Sequence, residues 1–212
     1  MRVGIFGGSF NPIHFGHLRA AEEVREALTL DLVYFVPAAS PPHKTQGDLA
    51  PAEHRLAMTR LATKGNRYFM VSEVEVRRIG RSYSVDTVRY FLSTLRTPST
   101  LLLMMGSDQF AELETWKDCD ELTGLCSIAV HSRLPAGESG PQRVSLAALK
   151  RFGYSNKDDY YVHPGGQTLS FVDTTIFPIS ATAIRQKIQQ RRSVRYLLPG
   201  DVADYIERHQ LY

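Results

Sequence analysis

The segment Val3-Gly4-Ile5-Phe6-Gly7-Gly8-Ser9-Phe10-Asn11-Pro12-Ile13-His14-Phe15-Gly16-His17, together with the helix and strand patterns C-terminal to it, sets the fold class. Val3 to Phe6 is a short apolar run that closes on two glycines, and Leu18 to Leu28 then carries apolar side chains at helical spacing with charges on the other face. Strand, loop and helix follow in that order. Leu32-Val33-Tyr34-Phe35-Val36 is a continuous β-branched and aromatic run stopped by Pro37, the pattern of a strand covered on both faces. Two such strands with a helix between them predict a parallel pair and a crossover.

The rest of the chain continues the alternation. After a Pro/Ser-rich loop, Ala38 to Ala50, Pro51 can start a helix at its first position, and Leu56, Met58 and Leu61 carry it to about Lys64. Tyr68 to Val76 is strand-like. Ser84 is a candidate N-cap for a helix to about Leu95, Leu101 to Met105 is an apolar strand, and a helix including Trp116 and Leu122 precedes the strand Ser127 to His131. Ser132 to Ser170, rich in Pro and Gly with a helix near Val144 to Arg151, reads as a long excursion at the sheet edge. Phe171-Val172 starts the last strand, Ser180 caps a helix to about Gln190, and Val202 to Arg208 is a short closing helix. The expectation is one α/β domain over 1–212, a doubly wound parallel sheet, with 180–212 as a C-terminal helical part.

Composition narrows the classes. The chain has 212 residues, 43% hydrophobic and 22% charged, and a net charge of +3 from 25 Lys+Arg against 22 Asp+Glu. A chain of this size buries roughly 70–75% of the surface its unfolded form exposes, so it needs no disulfides or metal for its core. The basic residues are scattered, and the one cluster, Arg191, Arg192 and Arg195, suits the end of a helix better than a nucleic-acid face. No apolar run reaches the ~20 residues of a membrane span, and the opening apolar stretch is too short for a signal peptide. Cys119 and Cys126 fit neither a disulfide framework nor a Cys-x-x-Cys pair. A cytoplasmic chain without membrane or nucleic-acid partners is expected, its oligomeric state open.

The chemistry-bearing residues sit where such a sheet binds ligands, at the carboxyl ends of its strands. Gly7, Gly8 and Gly16 let the backbone approach a bulky anion, and Ser9 and Phe10 lie in the same loop. Neither a P-loop nor a G-x-G-x-x-G fingerprint is present. His14 and His17, three apart at a helix start, can donate N–H bonds to phosphate oxygens; a zinc pair or plain helix capping are the rival readings. Ile179-Ser180-Ala181-Thr182-Ala183-Ile184-Arg185 is a second helix start, where hydroxyl, amides and guanidinium can meet an anion, although taken alone it reads as a bare N-cap at Ser180. Two anion-ready helix starts at the mouth of one sheet suit a triphosphate that touches both.

These letters resemble a family. Gly-x-Phe-x-Pro-x-His-x-Gly-His, here Gly8 to His17, with the late Ile-Ser-x-Thr-x-x-Arg, here Ile179 to Arg185, is similar to the nucleotidyltransferase superfamily that shares its His-x-Gly-His element with class I aminoacyl-tRNA synthetases. Within it the chain resembles the bacterial nicotinate-nucleotide adenylyltransferases, nearly end to end. Pro41-Pro42-His43-Lys44, Ser82 to Thr87, Gly106-Ser107-Asp108, Trp116, Leu198-Pro199 to Tyr205-Ile206 and Leu211-Tyr212 stand in the family's order. Ala181 and Cys119 depart from it, the first where a hydroxyl residue is frequent, the second where an aromatic is.

The resemblance implies a Rossmann-like nucleotidyltransferase fold and transfer of the adenylyl group of ATP to nicotinate mononucleotide, with Mg²⁺ carried mainly by phosphate oxygens. It implies that His14, His17 and Arg185 serve catalysis, that Ser180 and Thr182 join Arg185 on the β and γ phosphates, and that Gly7, Gly8, Ser9, Phe10, Gly16 and Ile179 form the ATP site. It further implies that Asp108 accepts from the ribose while Gly106 leaves room for adenine. Trp116 would stack on the pyridine ring, with N–H groups near Ser84 and Lys117 meeting its carboxylate. Lys44 and Arg133 would take the mononucleotide phosphate. Read without the family, Asp108 is a helix cap, Trp116 a core residue, and Lys44 and Arg133 solvated charges. A synthetase would need a Lys-Met-Ser-Lys-Ser-like loop, which is absent, and Ser82 to Thr87 with Trp116 speak against a phosphopantetheine or cytidyl substrate.

Overall fold

The computed structural model describes residues 1–42, 49–95, 99–133, 146–175 and 177–212. Strands Arg2–Gly8 (β1), Leu32–Pro37 (β2), Phe69–Val71 (β3), Thr100–Gly106 (β4), Ser127–Arg133 (β5), Ser155–Lys157 (β6), Tyr160–Val162 (β7) and Thr168–Thr174 (β8) form one sheet in the order β3-β2-β1-β4-β5-β8-β7-β6. All pairs from β3 through β8 are parallel, and β7 and β6 add an antiparallel edge. The order reverses between β1 and β4, which opens a crevice beyond their carboxyl ends.

The sheet is buried on both faces because its central strands are apolar at nearly every position, and alternate side chains enter two separate cores. Val3, Ile5, Leu103, Met105, Ile128 and Val130 pack on one face under helices Ser84–Thr94 (α4), Cys119–Leu125 (α6) and Leu146–Arg151 (α7). Phe6, Leu102, Met104 and Ala129 pack on the other. There they meet Phe15–Ala27 (α1), Ala52–Thr63 (α2), Ala181–Gln189 (α8) and Gly200–Arg208 (α9). Each fully buried side chain of this kind contributes about 1.5–3 kcal/mol. This is the doubly wound α/β sheet expected from the sequence. No described helix is long and apolar enough to cross a membrane. Cys119 and Cys126 are buried free thiols, and burial pushes Cys126 up to about 12.

Several boundaries differ from the sequence reading. Tyr68 to Val76 is not one strand: β3 ends at Val71 and Val74–Arg77 (α3) follows, because Ser72 and Glu73 turn the chain. Ser84 is the first residue of α4 rather than its N-cap; Tyr83 holds the extended cap position, without a side-chain bond. Trp116 lies in no α-helix. It follows a 3₁₀ turn, Leu113–Thr115, that extends Ser107–Ala111 (α5), and Asp118, in left-handed backbone at φ 50, separates it from α6. The edge excursion holds the hairpin β6-β7, so the last strand starts at Thr168 and not at Phe171. The C-terminal helix begins at Gly200, two residues early. The part of the excursion's expected helix before Leu146 lies outside the described residues.

Candidate active site

Strand β1 ends at Gly8, and the loop to α1 turns back at once, with Phe10 in left-handed backbone at φ 43. Phe10 and Ile13 anchor this loop in the core, at 2% and 0% exposure. His14 is the extended N-cap of α1, and its ring lies over Gly16, where an added Cβ would sit 3.1 Å from two ring atoms. A side chain at position 16 would therefore displace His14. The His14 and His17 rings stack with centroids 3.7 Å apart. The His14 backbone N–H donates to His17 Nδ1 at 3.3 Å, which places the neutral ring's proton on Nε2. His14 is 2% exposed, so of the pair it is the half-buried His17 that reaches the crevice.

Two cavities open here, and Gly7, Gly8, Ser9 and Gln109 line both. One, of about 460 Å³, holds Ser84, Trp116 and Lys117, with Glu75, Arg81 and Ser82 beside them. The other, of about 520 Å³, holds Phe10, Asn11, His17, Gly106, Asp108 and His131. Each is the size of a pocket for a nucleotide-sized ligand. Lys117 lines the first cavity, but its ammonium turns to Asp86 at 3.1 Å and lies over the Tyr83 ring. Gly106 is tied to Asp108 sterically, since a Cβ on it would overlap the Asp108 carboxylate.

At the second helix start, Ser180 is the N-cap of α8, accepting from the Ala183 N–H at 3.1 Å. Arg185 donates to Thr182 Oγ1 at 3.3 Å, so the two share a helix face as their spacing predicts. Its other terminal nitrogen donates to the Asn11 carbonyl at 2.8 Å. Arg185 thus braces the β1–α1 loop, and Ala181 is the α8 residue on the cavity wall. Ile179 is buried in the core. Lys44 and the side chain of Arg133 lie outside the described residues. The structure therefore brings Gly7, Gly8, Ser9, Phe10, His17, Gly106 and Asp108 onto one cavity and Ser84, Trp116 and Lys117 onto the adjoining one. His14, Gly16, Ser180, Thr182 and Arg185 stand behind or beside them.

Sequence reasoning misses Arg55, Glu75, Asn11 and His131. Arg55 lies among the periodic apolar residues of α2 and reads there as solvent face, yet it is 1% exposed. Glu75, 7% exposed, sits inside a segment that reads as strand. Burial raises the Glu75 carboxyl above its ordinary value, although Thr87, Ser82 and Arg78 pull the other way. Because the folded value is raised, this group's contribution to stability is full at low pH and is lost as pH rises through the folded value. Glu75→Gln is therefore expected to raise Tm at pH 7 and to leave it unchanged below about pH 4, which paired melting curves would check. An equal effect at both pH values would show that packing, not ionisation, is at work.

The Cytidylyltransferase-like family model matches residues 5–187. The chain is 40% identical over its whole length to a probable nicotinate-nucleotide adenylyltransferase of Geotalea daltonii, covering 98% of that protein. It is 42% identical to a Geobacter namesake and 36% identical to one from Thermoanaerobacter, covering 98% and 94% of them. Among solved structures it is similar to Plasmodium falciparum nicotinic acid mononucleotide adenylyltransferase complexed with NaAD. That likeness has a TM-score of 0.73 and 17% identity, and covers all of this chain and 97% of that one.

Proposed function

The chain belongs to the nicotinate-nucleotide adenylyltransferases within the Cytidylyltransferase-like family, and from that premise we propose that its two cavities seat ATP and nicotinate mononucleotide on either side of Gly7-Gly8-Ser9. The reaction joins them into nicotinate adenine dinucleotide with loss of pyrophosphate, a step of NAD biosynthesis. The observation that carries this reading is the shared wall: a cavity with His17 and Asp108 meets one with Trp116 and Ser84 along three small residues.

The nucleophile is a phosphate monoester oxygen, already anionic, so the α-phosphorus is attacked without a general base. The site's task is to hold two anions in line and to stabilise charge as pyrophosphate leaves. His17 donates from Nε2, its tautomer fixed by the His14 N–H. The α8 start offers backbone N–H groups beside Ala181, and Arg185 and Thr182 add cation and hydroxyl at the same end. Asp108 accepts from the ATP ribose. The cavity's donors are N–H groups and hydroxyls with Asp108 as a wall carboxylate, a set that fits Mg²⁺ held chiefly by phosphate oxygens and water. When bound, the ion offsets triphosphate charge. Trp116 stacks on the pyridine, and the first-turn N–H groups of α4 with the Trp116-Lys117 backbone meet its carboxylate. Asp86 does not oppose that carboxylate, since Lys117 and Arg89 neutralise it. Lys44 and Arg133 complete the mononucleotide phosphate site. Soluble substrates and free thiols suit a cytoplasmic enzyme without nucleic-acid or membrane partners.

The test is pyrophosphate release with Mg²⁺-ATP and, in parallel, nicotinate or nicotinamide mononucleotide. Release with the acid at least ~10-fold faster, about 1.4 kcal/mol, is expected from N–H donors that favour a carboxylate over an amide. Comparable rates would keep adenylyl transfer and remove the carboxylate site. No release with either would overturn the reading.

A further inference from the structure

The front of the β1–α1 loop lines both cavities; besides Arg185, two further residues that line neither cavity hold its back. Arg55, in the first turn of α2, donates from Nε to the Ala50 carbonyl at 2.8 Å and from Nη2 to Ala39 at 3.1 Å. Its Nη1 reaches the carbonyls of Ser9, at 2.8 Å, and Ala38. Ser9 lines both cavities and Ala38 the first. One buried guanidinium thus ties the loop after β1 to both ends of the segment between β2 and α2. Tyr212 holds the same loop two residues on. Its hydroxyl donates at 2.7 Å to Asn11 Oδ1, which also accepts from the Ala50 N–H at 3.0 Å. Asn11 is 2% exposed, so its side chain is held among protein groups rather than in solvent.

The cost of this arrangement points to its use. No described carboxylate forms an ion pair with Arg55, and desolvation is the leading influence on it, lowering its affinity for its proton. Glu75 acts on it only from beyond ion-pair distance, and a buried cation whose hydrogen bonds all go to carbonyls is a costly way to fill space that an apolar side chain would occupy. What the guanidinium alone supplies is a rigid planar set of donors aimed at several carbonyls at once. Burial likewise keeps the Tyr212 phenol protonated and able to donate.

We infer that Arg55 and Tyr212 are positioning residues for adenylyl transfer, a clamp behind Ser9 to Asn11 that fixes the two substrate cavities relative to each other. The inference rests on the functional reading above. In-line transfer between two separately bound anions depends on their relative placement, and a displacement of about 1 Å can cost 10²-fold in rate. Because neither residue touches a substrate, loosening the clamp lowers kcat and leaves both KM values nearly unchanged.

The experiment compares the wild-type chain with Tyr212→Phe and Arg55→Lys by pyrophosphate release, at a temperature well below each Tm. Tyr212→Phe, which removes one O–H, is expected to lower kcat about 3- to 10-fold with both KM values within about 2-fold. Arg55→Lys keeps the charge but loses the planar fork, and should lower kcat about 10- to 30-fold. A purely structural role would lower Tm and leave kcat per folded molecule intact. That result in either folded variant overturns the clamp. Should Arg55→Lys not fold, Tyr212→Phe decides alone. A wild-type chain that releases no pyrophosphate removes the functional reading and the clamp with it, whereas an active wild type beside unaffected variants removes the clamp only.

Discussion

His17→Ala is expected to fold as the wild type does and to lose at least ~10²-fold in kcat. The ring belongs to neither apolar core. Its main contacts are the His14 stack, the edge-on packing with Phe10 at 5.2 Å and the bond that its Nδ1 accepts. Losing them costs roughly 2–4 kcal/mol, one ordinary hydrogen bond and two ring contacts, which a chain with two covered sheet faces tolerates. The catalytic loss is larger because the Nε2 donor is oriented before substrate arrives. Nothing is spent on turning it as charge moves onto the leaving pyrophosphate, and removal of one such donor costs on the order of 10²–10³ in rate. Many other residues line the cavity proposed for ATP, so KM for ATP is expected to change far less than kcat. Steady-state pyrophosphate release and a melting curve on the same sample check both halves. A folded variant with full activity would remove His17 from the mechanism.

The sheet is legible in the sequence because its central strands are covered on both faces. Leu32 to Val36 and Leu101 to Met105 are unbroken apolar runs of five residues, too short for a buried helix, and Pro37 and Gly106 follow them closely. The edge is not legible. Ser155–Lys157 is exposed throughout and carries no apolar signal, so the hairpin that extends the sheet shows no alternation to read. Tyr68 to Val76 misleads for a related reason: Val71, Val74 and Val76 suit a strand, but the turn at Ser72 and Glu73 ends it. Trp116 misleads in the same way, since an aromatic near Leu113 and Leu122 fits a helical stripe until Asp118 breaks the backbone.

In the candidate site the glycines, His17 and Asp108 on the cavity walls are legible, whereas Glu75, Asn11 and His131 on the same walls and the residues behind them are not. Gly7 and Gly8 end β1, Asp108 stands two residues past β4 and His17 lies in the first turn of the helix after β1, the places where the fold itself says a ligand goes. Arg55, Glu75 and Tyr212 act through polar bonds to carbonyls, hydroxyls and carboxamides, and spacing along the chain says nothing about a partner 46 or 201 residues away. Arg185 shows the limit most clearly. Its spacing to Thr182 is readable, but its bond to the Asn11 carbonyl, 174 residues distant, is not.

Gly7 and Gly8 are adjacent and expected to differ sharply. A Cβ on Gly8 would lie 2.9 Å from two carbons of the Phe10 ring, closer than real side chains approach, so the ring must move. It has no free direction: Phe6 packs on it at 5.9 Å, Phe35 at 5.8 Å and His17 at 5.2 Å. Phe6 and Phe35 are fixed in the core, so His17 is what yields. Gly8→Ala is therefore expected to cost about 1–3 kcal/mol of stability by overpacking. It should also lower kcat/KM by at least ~10²-fold, because the displaced imidazole no longer points at the transferring group. A Cβ on Gly7 meets nothing within 4 Å and enters space that both cavities share. Gly7→Ala should thus melt like the wild type and show its effect only when substrates bind, as raised KM values. Melting curves and steady-state kinetics on the two variants separate the outcomes. A Gly8→Ala chain with wild-type kcat would mean that the Phe10 ring yields without carrying His17, and that the aromatic packing behind the histidine does not set its aim.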